Sequence, residues 1–427
     1  MFNIIDMTVL KNFADDEFAV GAVGACGTLI TLITGIMVGC AAGANVTIAR
    51  HIGAGDKERV RGAVGTAVCF ATVGGIIVSI LGLCCADLFL GWMNCPEVLH
   101  EKAALYFRLY FAGVPISLIY NVCAGVLRST GDSKRPMLFL NFAGILKVLF
   151  TILFVAVFKM SVVGVALATI ISWGTSCFLG LRALLKSNHP LVRLEISKIR
   201  FYKTELKNVL HVGVPDGLQR ALYSFANVII ATTVNSFGPE ATTGISIANN
   251  FDGILYNIVT APALAVMPYV SQNFGANNLK RAKQSVLRGM MIATALGASF
   301  GALSAIFSGN LASIMSSDPV VIGYARQKMM IISSTYFICG INDILCSALR
   351  GLKKPLIPTI SALIFMCGIR FIWVYLVFPL YENLTFLYLI WPIGWILSII
   401  TLSLIYIPTV KKLQRSNELE ITENVLL

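Results

Sequence analysis

Charge is scarce in this sequence. Only 13% of its 427 residues are Asp, Glu, Lys or Arg, where soluble domains average about a quarter. That shortage excludes a surface compatible with water. Histidine occurs four times, and His51, His100, His189 and His211 stand near expected loops without forming a cluster. The eleven cysteines form no Cys-x-x-Cys and keep no metal-site spacing with histidine, so they read as small buried apolar residues, and no metal centre or other cofactor is expected. A nucleotide-binding loop is missing, which excludes ATP as the direct energy source. No nucleophile–base set stands out, which argues against an enzyme. The short alternating segments of a β-barrel are missing too, and no cleavable signal peptide is visible, as is usual for a multi-spanning chain.

What the sequence has instead is long apolar runs. It is 57% hydrophobic with a mean hydropathy of +0.80. Runs of roughly 20 residues, each enough for a ~30 Å bilayer core, recur from end to end. The expected spans are 1–12, 19–49, 62–91, 102–127, 136–158, 162–186, 208–236, 241–272, 285–315, 321–349, 356–379 and 384–410. The fold class is therefore an all-α polytopic membrane protein of twelve transmembrane helices. The first run, "MFNIIDMTVLK", reaches only about 16 Å at the α-helical rise, so the chain is expected to start partway through its first helix.

The net charge of +12 suggests nucleic acid until its placement is considered. Of the 33 basic residues, 24 lie in loops on one side, at 50–61, 128–135, 182–207, 280–288, 350–354 and 411–415. Six lie on the other: Lys11, Lys102, Arg108, Lys159, Arg326 and Lys328. Lys147, Arg220 and Arg370 fall inside spans. The basic side is cytoplasmic by the positive-inside rule, which also places both termini of a complete protein there, in a plasma membrane.

An internal repeat organises the chain. A shift of 222 residues lays Gly53-Ala54 on Gly275-Ala276, Arg59 on Arg281 and Leu127-Arg128 on Leu349-Arg350. With a two-residue gap, Asn3 meets Asn227 and Phe13 meets Phe237. The expected organisation is an N-terminal six-helix lobe (1–186), a cytoplasmic linker (187–207) with an interfacial basic helix, a second lobe (208–410) and a cytoplasmic tail (411–427). Two pseudo-symmetric six-helix bundles entered from the same side are an arrangement of transporters that rock two lobes about a midplane site.

These residues carry a resemblance. "FNIIDMTVL" resembles the first-helix motif of the multidrug and toxic compound extrusion (MATE) family. "ARHIGAGDKERV" and "SQNFGANNLKRA" resemble its Gly-Ala-Gly loops, and "LRSTGDSKRPM" and "LRGLKKPLIP" its Leu-Arg-Gly loops. "GVPDGLQRALYSFANVI" resembles the start of its second lobe. Their order and duplication make the match specific, and the chain is similar to the prokaryotic, DinF-like branch. The resemblance implies two bundles forming a V, alternating access, and antiport of cationic or amphipathic small molecules against H⁺ or Na⁺. An alternative within the same superfamily is a flippase for a lipid-linked or anionic amphiphilic precursor. The implied partners are the small-molecule substrate and the bilayer, without nucleic acid or ATP, and a monomer is expected.

The polar residues inside the spans are the candidate sites, because a charge at the bilayer centre costs at least ~2.5–3.5 kcal/mol. The resemblance puts Asp6 at the first-helix acid that holds the coupling ion, with Na⁺ or a proton as its ligand. Asn3, Thr169 and Lys147 complete the ion-coupling set. Lys147 departs from the family's Asn-x-x-x-Asp pattern, since Ala143 and Lys147 stand in those places, and it is expected to pair with Asp6. In the second lobe Asp252 and Arg370 are expected to form a salt bridge, static or switched by protonation, and an offset of 223 lays Arg370 on Lys147. Gln219, Asn227, Asn249 and Tyr256 are candidates for the substrate cavity. Tyr223, Phe251 and Trp173 are candidates for stacking on a planar cation. Asp343 lies off the acid position of NorM-type members, where Cys339 falls, and carries no role.

Overall fold

The computed structural model of the chain describes residues 2–14, 19–92, 97–187 and 191–426, the side chains of 2–4, 25, 28, 29, 32, 92 and 416–426 excepted. Among the described residues there is no β-strand. Nine helices among the described residues are long and apolar enough to cross a membrane, and a bent pair makes a tenth. The short first helix and the polar α7, which carries Gln219, Arg220 and Asn227, fall outside that count.

The chain divides into two compact units, Met1–Gly217 and Leu218–Leu427. The first holds α1 (Phe2–Phe13), α2 (Ala19–Gly53), α3 (Lys57–Cys84), α4 (Glu97–Ser129), α5 (Lys134–Ile152) and α6 (Ser161–Leu185). Its middle is α4, packed against α2, α3 and α6. Gly75 of α3 is why Pro115 of α4 can come so close, since a Cβ at Gly75 would sit 2.7 Å from the Pro115 Cα. Phe107 and Phe111 stack at 4.3 Å beside this contact. Outward from the core, α3 and α5 present Ile77, Ile80, Ile145 and Leu149, each about half exposed or more, as lipid-facing residues should be.

α7 (Lys203–Asn235) begins in the first unit, where it crosses α2 on a pair of matching motifs. Gly39-x-x-x-Gly43 of α2 faces Gly213-x-x-x-Gly217 of α7. A Cβ at Gly43 would overlap the Val209 carbonyl oxygen, and one at Gly213 would lie 2.8 Å from the Cys40 Cα. Small residues let two backbones touch where lipid supplies no hydrophobic drive for association.

The expected interfacial helix in the linker is corrected by the structure. Between Ser187 and Lys203 the described chain makes only a single 3₁₀ turn, Ile196–Lys198. The cause is packing, since Val192 and Leu194 are buried in the core of the first unit. The Thr66 hydroxyl donates to the Arg200 carbonyl and accepts the Tyr202 N–H at 3.1 Å. The segment is thus laid along α3 as extended chain.

The second unit contains the rest of α7, then α8 (Pro239–Gly275), α9 (Leu279–Ile306), α10 (Pro319–Ser334) and α11 (Tyr336–Gly351). Next come the Leu356–Leu380 span and α12 (Ile390–Leu426). α8 packs on α9, α10 and α11, as α2 packs on α3 and α4 in the first unit. A 48° bend separates α10 from α11. It falls in Ser-Ser-Thr, where the Ser334 and Thr335 hydroxyls take the carbonyls of Ile331 and Ile332 and compete with the helix for them. The Leu356–Leu380 span is widened into π-helix at Leu363–Gly368 and again at Trp373–Val377, with Arg370 on the short α-turn between them.

Candidate ion-coupling and substrate sites

Asp6 and Lys147 meet in the first unit. Lys147 Nζ donates to Asp6 Oδ2 at 2.7 Å, with both side chains buried. Thr151, one turn after Lys147 on the same face of α5, points its hydroxyl at Asp6 Oδ1 from 3.4 Å. The carboxylate is therefore held by an ammonium on one oxygen and faces a hydroxyl on the other. Thr169 is not part of this group: its hydroxyl donates to the Val165 carbonyl of its own helix at 2.9 Å. The Asn3 side chain lies outside the described residues. No three His, Cys, Asp or Glu side chains gather into a metal-binding group among the described residues.

The second unit rearranges the expected pair. Asp252 does not bridge to Arg370. Its Oδ2 takes Lys328 Nζ at 2.9 Å instead, and Lys328 also donates to Asn249 Oδ1. The count of basic residues puts Lys328 on the outer side, as the eighth residue of the 321–349 run. The structure instead puts it on α10 with 2% of its surface exposed, turned toward α8. Arg370 donates to Asn227 Oδ1 at 2.7 Å and lies over the Trp391 ring at 4.9 Å. The same ring faces Lys328 Nζ at 6.0 Å, so one indole serves two buried cations. Asp252 Oδ1 is buried and meets no donor among the described residues.

The repeat relates these arrangements. The Asn227–Arg370 contact joins the repeat counterparts of Asn3 and Lys147, whereas the counterpart of Asp6 is Ile230, buried and apolar. The second half has thus kept the base and lost the acid at this place, and its acid stands on α8.

A further polar chain runs through the inner part of the second unit. Arg350 donates to Gln219 Oε1 at 2.7 Å, and Gln219 Nε2 donates to the Tyr223 hydroxyl at 2.7 Å. The Tyr256 hydroxyl donates to Asp343 Oδ2 at 3.3 Å, so the acid left without a role by sequence has a cavity candidate as its donor. Sequence reasoning missed Lys328, Trp391 and Arg350. It also missed His51, whose Nε2 lies 2.7 Å from Glu205 Oε2 in a buried contact between α2 and α7. Burial alone would raise the Glu205 carboxyl, but the hydrogen bond and charge of His51, with Asn208 and Arg59 adding to them, hold it below its ordinary value. In the sequence His51 reads as a loop-proximal histidine, and its partner lies 154 residues away.

With this geometry in view, the comparisons decide the family. The sequence model of the MatE family matches residues 1–153 and 215–376, one stretch in each half of the repeat. The chain belongs to the MatE family. It is 26% identical over 359 residues to the probable multidrug resistance protein YoeA of Bacillus subtilis, covering 82% of this chain and 77% of that protein. It is 24% identical over 359 residues to the FAD transporter of Shewanella oneidensis, covering 83% and 79%. Its fold matches the outward-facing structure of a multidrug resistance MATE-family transporter of the MOP superfamily, with a TM-score of 0.89, 21% identity and coverage of 97% and 92%. It also matches a MOP superfamily transporter from Pyrococcus furiosus whose structure is reported with a binding pocket of reversed polarity, at a TM-score of 0.88, 20% identity and the same coverages. This MatE chain is a multi-pass membrane transporter and not an enzyme.

Proposed function

We propose that this MatE transporter is a proton-coupled antiporter that exports cationic, amphipathic small molecules across the cell membrane by alternating access, with both termini cytoplasmic. The observation that carries the reading is the buried Asp6–Lys147 pair. Protonating Asp6 removes its charge, breaks the ion pair and frees the α1–α5 contact to adopt a second packing. Removing one partner from a buried pair is worth roughly 3–5 kcal/mol. That approaches the ~5.5 kcal/mol needed to move an equilibrium from 1:99 to 99:1, so one proton can bias the two access states strongly without additional ions. H⁺ is favoured over Na⁺ because the Lys147 ammonium occupies the flank of Asp6 Oδ2 that a sodium ion would need. The cytoplasmic assignment of the termini rests on the 24 basic residues of one set of loops. In the second unit, the buried Asp252 Oδ1, which meets no donor among the described residues, is the acceptor that a cationic substrate takes once repacking exposes it.

A second reading has its own observation. Arg370 is a buried cation held by an amide and an indole rather than a carboxylate, and a net positive charge there suits an anionic amphiphile, flipped or exported. Proteoliposomes holding the protein separate the two. With an imposed pH gradient they should accumulate ethidium, show no response to a sodium gradient, and lose the activity in Asp6→Asn. Uptake of FAD, the cargo named for the Shewanella relative, with ethidium excluded would replace the first reading by the second.

A further inference from the structure

α9 carries Lys280, Arg281, Lys283 and Arg288 and no acid along its 28 residues. Arg281, Gln284, Ser285 and Arg288 fall at i, i+3, i+4 and i+7, which puts them on one face. That face and Tyr269 of α8 border a cleft of about 660 Å³. Its basic end lies at the α8–α9 turn, and its other end is lined by Pro262, Val266 and Ile292. Among the described residues Lys280, Arg281 and Arg288 make no ion pair. The flanking Leu287, Met291 and Ile292 are more than half exposed, so the cleft opens on the apolar flank of a membrane-crossing helix.

The first half shows what the same helix face looks like when it is filled. Under the 222-residue offset Asn278, Lys280, Gln284 and Arg288 correspond to Asp56, Glu58, Gly62 and Thr66 of the α3 end. There the cations are neutralised, Arg59 by Asp56 and Arg61 by Glu58 and Glu195. The chain itself then lies along the face, with Tyr202 against Gly62 and the Arg200 carbonyl on Thr66. The second half has exchanged two acids for Asn278 and Lys280, has added Arg288, and brings no linker to cover them. The fold does not need Lys280 and Arg288, because their places in the other copy hold Glu58 and Thr66. Arg281 matches Arg59, which that copy neutralises with Asp56.

We infer that the α8–α9 cleft is a binding site for an anionic glycerophospholipid of the surrounding bilayer. Lys280, Arg281 and Arg288 take the phosphodiester, Gln284 donates to a headgroup oxygen while the Ser285 hydroxyl stays on the Arg281 carbonyl, and an acyl chain lies along Val266 and Ile292. The order of the lining, from basic through polar to apolar along a membrane helix, matches the order of groups along such a lipid, and basic clefts between transmembrane helices recognise acidic headgroups.

The test uses the full-length protein in detergent micelles with spin-labelled phosphatidylglycerol and phosphatidylcholine, comparing wild type, Arg281→Gln/Arg288→Gln and Lys283→Gln. Lys283 is exposed on α9 and does not line the cleft, so it controls for general basicity. Wild type should hold phosphatidylglycerol in preference to phosphatidylcholine. The double variant should lose that preference by about fivefold per removed cation, and Lys283→Gln should keep it. Equal affinity for the two lipids in wild type, or an unchanged preference in the folded double variant, would overturn the assignment. So would displacement of the lipid by millimolar inorganic phosphate, which would make the site one for a free anion. Unchanged elution and thermal unfolding of the double variant establish that it is folded.

Discussion

Asp6 and Lys147 were legible as a pair because each is expensive alone in a bilayer and the family pattern shows which helices they stand on. Their contact gives a stability prediction. Lys147→Met leaves Asp6 buried without its cation and should lower unfolding stability by roughly 3–5 kcal/mol. Asp6→Asn/Lys147→Met should recover most of that loss, as thermal unfolding in detergent would show, while gradient-driven transport stays absent. An equal loss in the single and double variants would mean that the ion pair contributes nothing. Asp252 was legible as a buried acid, but its partner was not. Lys328 looked like an outer-loop residue by counting, since hydropathy does not register that a bend after Ser334 tilts α10 and turns one of its faces toward α8. Arg370 drew attention to the wrong acid because both lie mid-span. His51 and Glu205 give a pH prediction with a definite sign. The Glu205 carboxyl is held below its ordinary value of 4.5, so its contribution is fully present above that value and is lost as the pH falls through the lower folded-state value. Melting temperature measured from pH 7 down to pH 3 should therefore fall more steeply in wild type than in Glu205→Gln, and parallel curves would contradict the account.

At the scale of helices, the apolar runs locate nearly every span because burial in lipid demands about 20 apolar residues and little else. What they do not reveal is how helices end or touch. The linker illustrates this: its basic residues suggested an interfacial helix, but Val192 and Leu194 are drawn into the core and the backbone is bound to Thr66. The α2–α7 crossing was present in the sequence as two Gly-x-x-x-Gly motifs, yet only the structure shows them facing each other. Gly43→Ala should strongly reduce the folded yield or the melting temperature, because the new methyl overlaps the Val209 carbonyl. Gly27→Ala, in the same helix with nothing within 4 Å of the added Cβ, should be close to neutral and is the matched control. Equal effects of the two substitutions would show that the crossing tolerates separation.

For the molecule as a whole, duplication made the family readable: the shared offset exposed two copies of one design, and the family match falls in both. Duplication also makes the divergence between halves informative. The first half keeps an acid and a base together at Asp6 and Lys147, while the second keeps Arg370 with Asn227 and moves its acid to α8. The antiport proposed above rests on the Asp6–Lys147 pair of the first half, and the second half presents a differently charged set of groups. Coupling then requires that binding of the substrate and of the proton oppose each other by the same free energy in both directions. The most direct test is proton release on substrate binding, followed with a pH indicator in weakly buffered detergent solution as ethidium is added to the purified protein. Release of about one proton per ethidium bound by wild type, and none by Asp6→Asn at equal occupancy, is the predicted result. Binding without proton release in wild type, or the same release in Asp6→Asn, would contradict exchange at Asp6.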